Sequence, residues 1–367
     1  MSLRDKLNAQ GAGVQVSDLY SRFGVLTNPF PSSSQTSNNP HFHLPADDEA
    51  EGRIMSFLRD GNSQVVVVEG TQGVGKTNFL NFFEGEIEEA LREREGYYIV
   101  RYLADPEASF EGTIRRLFQE LGSEHLAKLG KTLQEDSGPI DVVRSQDMRS
   151  ALHSLAEVGK EDEHAKLMME WLLGFRLLKA HRESLNVQFR LDTVESKTAA
   201  LRDLVLVSSK AGILKGIFLL LDELEKQDGV LGPTAVVRYL SAMRAIIDSL
   251  PNHLFMMIAV TPDAMRRYSV ALPAFRSRLQ NQITLNLLAG ASEAVALANF
   301  YKEYARDQAR KKSSGSPGTN TLVTDQQVEE QFEQLRKLGE RRGDIGVRQR
   351  ELLHVLHTIA ERIIQGS

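Results

Sequence analysis

The sequence VVVVEGTQGVGKT, residues 65–77, decides the fold. Its first part is a β-branched run that ends in Glu69, the pattern of a strand buried on both faces of a parallel sheet. The second part, GTQGVGKT, matches the pattern GxxxxGK followed by Ser or Thr, and apolar residues at helical spacing continue to about residue 94. A strand, a glycine-rich turn and a helix in this order predict a loop that holds the phosphates of a nucleotide.

The residue types in this loop suit phosphate binding. Glycines let the backbone turn its N–H groups inward, and the following helix adds its positive N-terminal end. Lys76 is expected to reach the β and γ phosphates of ATP, and Thr77 to offer a hydroxyl to Mg²⁺. A chance glycine turn is the alternative, but it would not explain the strand, the lysine and the threonine together. The predicted contacts to ATP come from Gly70, Gly73, Val74, Gly75, Lys76, Thr77 and Asn78.

Further strands and helices alternate along the chain. Strands are predicted at residues 97–103, 216–221, 254–260 and 283–287. Helices are predicted at residues 47–58, 110–121 and 236–250. This alternation is typical of an open α/β sheet with crossover connections. The predicted fold class is therefore α/β, a P-loop parallel sheet with flanking helices.

The chain divides into three predicted regions. Residues 1–46 form an N-terminal arm, partly flexible, with a Ser/Asn/Pro cluster at 31–40. Residues 47–287 form the α/β core, and 288–367 form a small helical domain. The core carries a helical insertion at about 122–210, because this stretch is too long for an ordinary crossover. Helices are predicted within it at 148–158 and 164–179.

An acidic pair follows the buried strand GIFLLL. Asp222 is expected to hold Mg²⁺ through its water shell, and Glu223 to polarise the water that attacks the γ-phosphate. Two acids that merely cap a strand are the alternative, which the phosphate loop upstream disfavours.

Four further polar residues are candidates by position. Thr261 ends the next strand, where its hydroxyl could bond the attacking water or the γ-phosphate; ordinary turn chemistry before a proline is the alternative. In FRSRL, Arg278, or failing that Arg276, could stabilise phosphoryl charge from a neighbouring subunit, whereas the default is a surface arginine. Arg348, at the start of a helix, could contact the γ-phosphate or else form an interhelical ion pair.

Composition narrows the class of protein. Hydrophobic residues make up 41% and charged residues 25% of the 367, as in soluble globular proteins, and the net charge is −5. The whole chain is therefore no polyelectrolyte binder of nucleic acid, and the basic stretches 306–312 and 336–350 are interleaved with acids. There is no cysteine, no secretory signal and no apolar run of about 20 residues. We expect a cytoplasmic protein without membrane contact, and the histidines show no metal-ligand spacing.

The order of these motifs resembles that of the AAA+ ATPases. In this resemblance GTQGVGKT is the Walker A motif, LLLDELE the Walker B motif and Thr261 sensor 1. The FRSRL arginine is the arginine finger, the residue that a subunit offers to its neighbour's nucleotide. The segment GDIGVR, residues 343–348, is sensor 2 in a C-terminal helical lid. The resemblance covers roughly residues 45–122 and 210–365.

Within that superfamily the chain resembles the initiator clade, the Orc/Cdc6-like and transposition-helper ATPases, whose pattern places the finger at Arg278. The arm FGVLTNPF, residues 23–30, is similar to ExeA- and TniB-type proteins, and the stretch from MEWLLGF through KGIFLLLDELEKQ, residues 169–227, is similar to BREX-type phage-defence ATPases. The resemblance implies a homo-oligomeric ATPase that acts on DNA or a DNA-bound partner. Initiators usually carry a DNA-binding domain beyond the lid, but this sequence ends at Ser367. We therefore expect DNA contacts from the core, the insertion or a partner.

Two hypotheses about function remain open at this stage. The first is an ATP-hydrolysing AAA+ protein that assembles head to tail into a ring or filament and acts on DNA. The second is an ATP-gated assembly switch or scaffold that hydrolyses slowly and recruits a separate effector. A GTPase ranks lower because no NKxD motif is present, and a protein unfoldase ranks lower because there is no aromatic pore-loop signature.

Overall fold

The computed structural model describes residues 20–32, 39–103, 110–222, 233–279, 281–312 and 318–366. These residues form two compact units, which are described separately. The sheet unit comprises Pro45–Gly70 and Leu80–Thr284, and the lid unit comprises the described residues of Met1–Leu44, Thr71–Phe79 and Leu285–Ser367.

A parallel five-stranded sheet organises the sheet unit, in the order β2-β3-β4-β1-β5. The strands are β1 (Gln64–Glu69), β2 (Tyr97–Leu103), β3 (Gly216–Asp222), β4 (Leu254–Val260) and β5 (Asn281–Thr284). Every residue of β3 and β4 is buried, as strands covered on both faces require. The predicted α/β class with a parallel sheet and flanking helices is confirmed.

The last strand lies earlier than the sequence predicted. The prediction placed it at residues 283–287, whereas β5 ends at Thr284. Its partner β1 pairs with it only from Val66 to Glu69, which leaves no partner in the sheet for the residues that follow. Leu288 instead forms an antiparallel bridge with Val347 in the lid unit.

Helices cover both faces of the sheet. Outside the insertion, which holds α3 to α7, the helices of this unit are α1 (Pro45–Asp60), α2 (Lys76–Leu91), α8 (Pro233–Ser249), α9 (Pro262–Ala271) and α10 (Pro273–Arg276). On one face, Phe57 of α1 packs against Phe218 and Phe255, with ring centroids 5.1 and 5.6 Å away. On the other face, Ile217 and Leu219 belong to the core shared with the insertion. Successive side chains of β3 therefore pack into two different hydrophobic layers, one on each face of the sheet.

The insertion is helical, as predicted, but its elements differ in detail. It contains α3 (Phe110–Glu135), a 3₁₀ turn (Gly138–Val142), α4 (Gln146–Leu155), α5 (Glu161–Leu172), α6 (Lys179–Leu185) and α7 (Val194–Lys210). The single helix predicted at 164–179 is wrong: α5 ends at Leu172, because Gly174 adopts a φ of 79° that a right-handed helix cannot contain. The helix predicted at 110–121 continues past a break at Gly122.

A buried histidine links the insertion to the sheet. Nδ1 of His125 lies 2.6 Å from the Tyr98 hydroxyl and its Nε2 lies 2.8 Å from the Ser208 hydroxyl. Burial lowers the pKa of His125 to about 4, so the ring is neutral at neutral pH and both nitrogens serve the hydrogen-bond network. His125 is thus structural, in line with the histidines having no metal-ligand pattern.

The lid unit is built on three helices, α11 (Ala291–Lys312), α12 (Asp325–Glu340) and α13 (Gln349–Gly366). Thr324 caps α12 in a capping box with Gln327. Residues of the N-terminal arm belong to the same core, in which Phe23 and Phe30 are buried. The Asn28 side chain ties the arm to α13, since its amide nitrogen donates to Glu361 Oε1 at 2.9 Å.

Among the described residues, no helix combines the length and the hydropathy that crossing a bilayer requires.

Candidate nucleotide-binding site

The phosphate loop has the backbone conformation that its glycines predict. Gly73 and Gly75 have φ values of 86° and 104°, which other residues adopt only with strain. The helix α2 then begins at Lys76, and the Phe79 N–H donates to the Gly75 carbonyl at 2.9 Å. A turn of this kind followed by a helix N-terminus presents several N–H groups to an anion.

Lys76 and Thr71 give this loop further phosphate-binding character. Lys76 is 9% exposed, and its ammonium donates to the Thr71 carbonyl at 3.3 Å. The Thr71 hydroxyl is buried and has no hydrogen-bond partner among the described residues. An unsatisfied buried hydroxyl is costly on its own, and a phosphate group would compensate it. The residues present therefore fit the triphosphate of ATP, and the Thr77 hydroxyl is an oxygen donor of the kind Mg²⁺ prefers.

The start of α13 lies directly against the phosphate loop, within the lid unit. The Arg350 N–H donates to the Gly73 carbonyl at 3.0 Å. A Cβ added to Gly73 would lie 3.7 Å from Arg348 Cβ, and one added to Gly75 would lie 3.2 Å from Gln349 Oε1. The structure thus brings Arg348 and the loop together. The N-terminus of α13 also makes the electrostatic potential at the loop more positive.

The Arg348 side chain is held by an acidic neighbour in the lid. One of its terminal nitrogens lies 3.0 Å from Asp344 Oδ2, while its Nε is buried without a hydrogen-bond partner among the described residues. Both residues lie in the segment between α12 and α13, so this ion pair is not the interhelical pair considered as the alternative. Contact of this arginine with the γ-phosphate stays a prediction, which the position of Arg348 beside Gly73 supports.

Asn78, a predicted ATP contact, bonds to the N-terminal arm. Its amide nitrogen donates to the Asn39 carbonyl at 3.0 Å, and its oxygen lies 2.8 Å from His41 Nδ1. The His41 ring packs edge-on against Phe79, with centroids 6.0 Å apart. Nothing in the local sequence around His41 indicates contact with the first turn of α2.

At the carboxyl edge of the sheet, Asp222 is engaged by an arginine that the sequence analysis missed. Asp222 is the last residue of β3 and is 1% exposed. Arg101, on the neighbouring strand β2, donates to Asp222 Oδ2 at 2.9 Å and to Asn81 Oδ1 at 3.1 Å. A buried carboxylate requires such a partner. One sequence signal was present, because Arg101 is the only charged residue in the strand YYIVRYL.

Thr261 follows β4 at the same edge. Its hydroxyl accepts the N–H of Ala264 at 3.3 Å and so caps α9. Nearby, the Gly70 N–H donates to the Val260 carbonyl at 3.2 Å, which joins the ends of the adjacent strands β1 and β4. The turn role considered as the alternative is therefore present, and a role of Thr261 toward water or phosphate stays a prediction.

The two candidate finger arginines lie on the surface of the sheet unit. The Nε of Arg278 donates to Asp248 Oδ1 at 2.5 Å, and Asp248 also binds Arg244 at 3.2 Å. Arg276, at the end of α10, is exposed as well. Glu223, the predicted general base, lies outside the described residues.

A parallel sheet with a phosphate loop after β1 and with Asp222 at the end of β3 defines an ATP-binding protein of the AAA+ type. The chain belongs to the BREX system ATP-binding protein BrxC/D family, whose model matches residues 126–361. The matched range includes Asp222, Thr261, Arg278 and Arg348, and it begins after the phosphate loop.

Solved structures with a similar chain path include three archaeal proteins. The ORC2 protein of Aeropyrum pernix in its ADPNP–ADP complexes is 12% identical over 90% of this chain and 72% of its own, with a TM-score of 0.44. Cdc6p of Pyrobaculum aerophilum is 12% identical over 86% of this chain and 67% of its own, with a TM-score of 0.41. A Walker-type ATPase of Pyrococcus abyssi is 14% identical over 94% of this chain and 77% of its own, with a TM-score of 0.41. No curated protein matches the sequence significantly.

Proposed function

We propose that this protein hydrolyses ATP at sites shared between subunits of a ring or filament and couples hydrolysis to action on DNA or a DNA-bound partner. The observation that carries the proposal is the phosphate loop, in which left-handed glycines, the buried Lys76 and the unsatisfied Thr71 hydroxyl form an anion cradle. Membership of an ATP-binding family supports ATP as the ligand.

Within each subunit the residues would divide the work as follows. The loop N–H groups and Lys76 would hold the phosphates, while Thr77 and Asp222 would hold Mg²⁺, whose charge would offset that of the transferring phosphoryl group. Glu223 accepts the proton of the attacking water. Thr261 orients that water or the γ-phosphate.

Two arginines would complete the site. Arg348 lies beside Gly73 of the loop, where a Cβ built on Gly73 would be 3.7 Å from Arg348 Cβ, so it would reach the γ-phosphate by exchanging Asp344 for it. Arg278 is exposed and held by Asp248, which suits a residue offered to the nucleotide of a neighbouring subunit. A head-to-tail contact of this kind produces a ring or a helical filament.

The biological setting is part of the proposal. BREX-type ATPases belong to phage-defence islands, and membership of the BrxC/D family supports the same setting for this protein. We propose that it acts in phage defence.

The proposal is tested by measuring ATPase rate and particle size together, with and without double-stranded DNA. We expect ATP to increase the particle size and DNA to raise the turnover rate of the assembled form. A Lys76→Met variant serves as the control that should show neither response. Assembly with ATP but no effect of DNA on turnover would contradict the proposal and favour an ATP-gated scaffold.

Arg278 can be tested by mixing inactive variants. Arg278→Ala subunits keep an intact phosphate loop, and Lys76→Ala subunits keep an intact finger, so mixed assemblies contain some complete sites. We expect each variant alone to be nearly inactive and a mixture to recover part of the ATPase rate. Arg276→Ala is the matched control, expected to stay active alone; absence of recovery in the Arg278 mixture would rule out a finger that acts between subunits.

A further inference from the structure

The helical insertion carries a cavity that the ATPase site does not use. It has a volume of about 640 Å³ and lies where the end of α5 meets the segments on either side of α6. Two phenylalanines and four basic side chains line it, and we call this set the basic-aromatic surface. Its members are Phe175, Arg176, Lys179, Arg182, Phe189 and Arg190.

The two aromatic rings are exposed although they are large and apolar. Phe175 is 52% and Phe189 is 72% accessible to solvent. Their backbone is fixed: the Phe189 N–H donates to Asp147 Oδ2 at 2.8 Å, and the Phe189 carbonyl accepts the indole N–H of Trp171 at 2.9 Å. The Phe175 N–H donates to the Glu170 carbonyl at 3.0 Å. Exposed rings on a fixed backbone are ready to contact a ligand without a large ordering cost.

The charges around these rings are positive and largely available. Arg176 and Arg182 have no acidic partner among the described residues, and Lys179 meets Glu183 at 3.7 Å in an exposed, weak pair. Arg190 is held in place because its Nε donates to the Gly174 carbonyl at 2.7 Å. The acids Glu170 and Asp192 are exposed nearby, and Asp147 is occupied by backbone N–H groups. This cluster contrasts with the net charge of −5 for the whole chain.

Flat rings beside a group of cations match single-stranded nucleic acid. Unpaired bases stack on aromatic side chains, and the phosphates that link them bind arginine and lysine. A base pair buries its flat faces in the duplex, so double-stranded DNA offers no base for Phe175 or Phe189. We propose that the basic-aromatic surface binds single-stranded DNA, with bases on the two rings and phosphates on the four cations. DNA rather than RNA as the ligand rests on the proposed function.

Fluorescence anisotropy of a labelled oligo(dT) 20-mer with the full chain tests this proposal. Stacking on one ring accounts for roughly 5- to 150-fold in affinity, so Phe175→Ala with Phe189→Ala should weaken binding by at least about tenfold. Arg176→Ala with Arg182→Ala should reduce the slope of log affinity against log salt by about 1.4, since each phosphate contact contributes about 0.7. Tyr304→Ala with Arg310→Ala, an exposed aromatic and an exposed arginine on α11, is the matched control and should bind normally.

Several outcomes would overturn the proposal. One is that the double phenylalanine variant and the double arginine variant bind oligo(dT) as tightly as the unaltered protein, and another is that the control variant loses as much affinity as they do. The proposal would also be overturned if a duplex or oligo(rU) bound more tightly than oligo(dT), or if an acidic peptide bound equally tightly at the same residues. Circular dichroism of each variant separates loss of binding from loss of folding. A Lys76→Met variant should still bind oligo(dT), so failure of the ATPase proposal and failure of this one give different results.

Discussion

Replacing Lys76 with methionine is expected to abolish measurable ATP binding at ordinary protein concentrations. The ammonium of Lys76 is buried beside the glycines of the phosphate loop and donates to the Thr71 carbonyl, so a triphosphate would meet it with little water between them. Removing one partner from a buried charge pair costs about 2–5 kcal/mol, or roughly a 30- to 5,000-fold loss of affinity. Methionine keeps most of the apolar stem, so the fold should persist. Isothermal titration with Mg²⁺–ATP measures the change.

Lys302 provides a matched control for this experiment. It lies in the same unit and is also 9% exposed, but its ammonium donates to the Val323 carbonyl at 3.0 Å and lies 3.5 Å from Asp325. Lys302→Met should therefore lower the free energy of unfolding while ATP affinity stays near that of the unaltered protein. Equal losses of ATP affinity in the two variants would show that destabilisation, not a missing phosphate contact, explains the result.

Replacing Glu223 with glutamine is expected to stop turnover while ATP still binds. Glutamine has nearly the same shape but cannot take a proton from water, and positioned acid–base catalysis contributes about 10²- to 10⁴-fold to a rate. The measurements are kcat from phosphate release and ATP affinity from titration on the same preparation. Because Glu223 does not contact the phosphate loop in the proposed mechanism, the affinity should change little.

The sequence LLLDELE offers its own control in Glu225, two residues further along. Glu225→Gln makes the same change of charge in the same segment and should leave kcat within about twofold, because the proposed mechanism gives Glu225 no role and substitutions without such a role usually have small effects. Ordinary ATPase activity in Glu223→Gln would refute its role as general base. Loss of activity in both variants would instead indicate that the segment depends on its total negative charge.

Local patterns predicted the sheet and the phosphate loop well because each depends on neighbouring residues. The buried runs that became β1, β3 and β4 are contiguous, and Gly73 and Gly75 adopt the left-handed conformation that their motif requires. Boundaries were less predictable. The strand β5 ends at Thr284 because its partner β1 ends at the paired residue Glu69. The helix α5 ends before Gly174 because the backbone of Gly174 is left-handed. In both places the hydrophobic spacing alone predicted a longer element.

The surroundings of the candidate site required the tertiary structure. Arg101 and Asp222 are 121 residues apart in the chain, and only the pairing of β2 with β3 brings them within 2.9 Å. Likewise, the arm residue His41 reaches Asn78 across 37 residues, and the lid residue Arg350 binds Gly73 through its backbone. No single-sequence pattern encodes such contacts, since they depend on which distant faces pack together.

The sequence by itself determined that this chain binds a nucleotide phosphate on a parallel α/β sheet, because strand burial, glycine geometry and the lysine are properties of one short segment. Tertiary structure decided the neighbours of the phosphate loop within the lid unit, where Arg350 bonds to Gly73 and His41 to Asn78. Within the sheet unit it separately paired Arg101 with Asp222. It also gathered the rings and cations of the insertion into one surface, from residues that flank α6 on both sides. Burial and charge compensation are properties of the packed chain, so they become visible only when its distant parts are in contact.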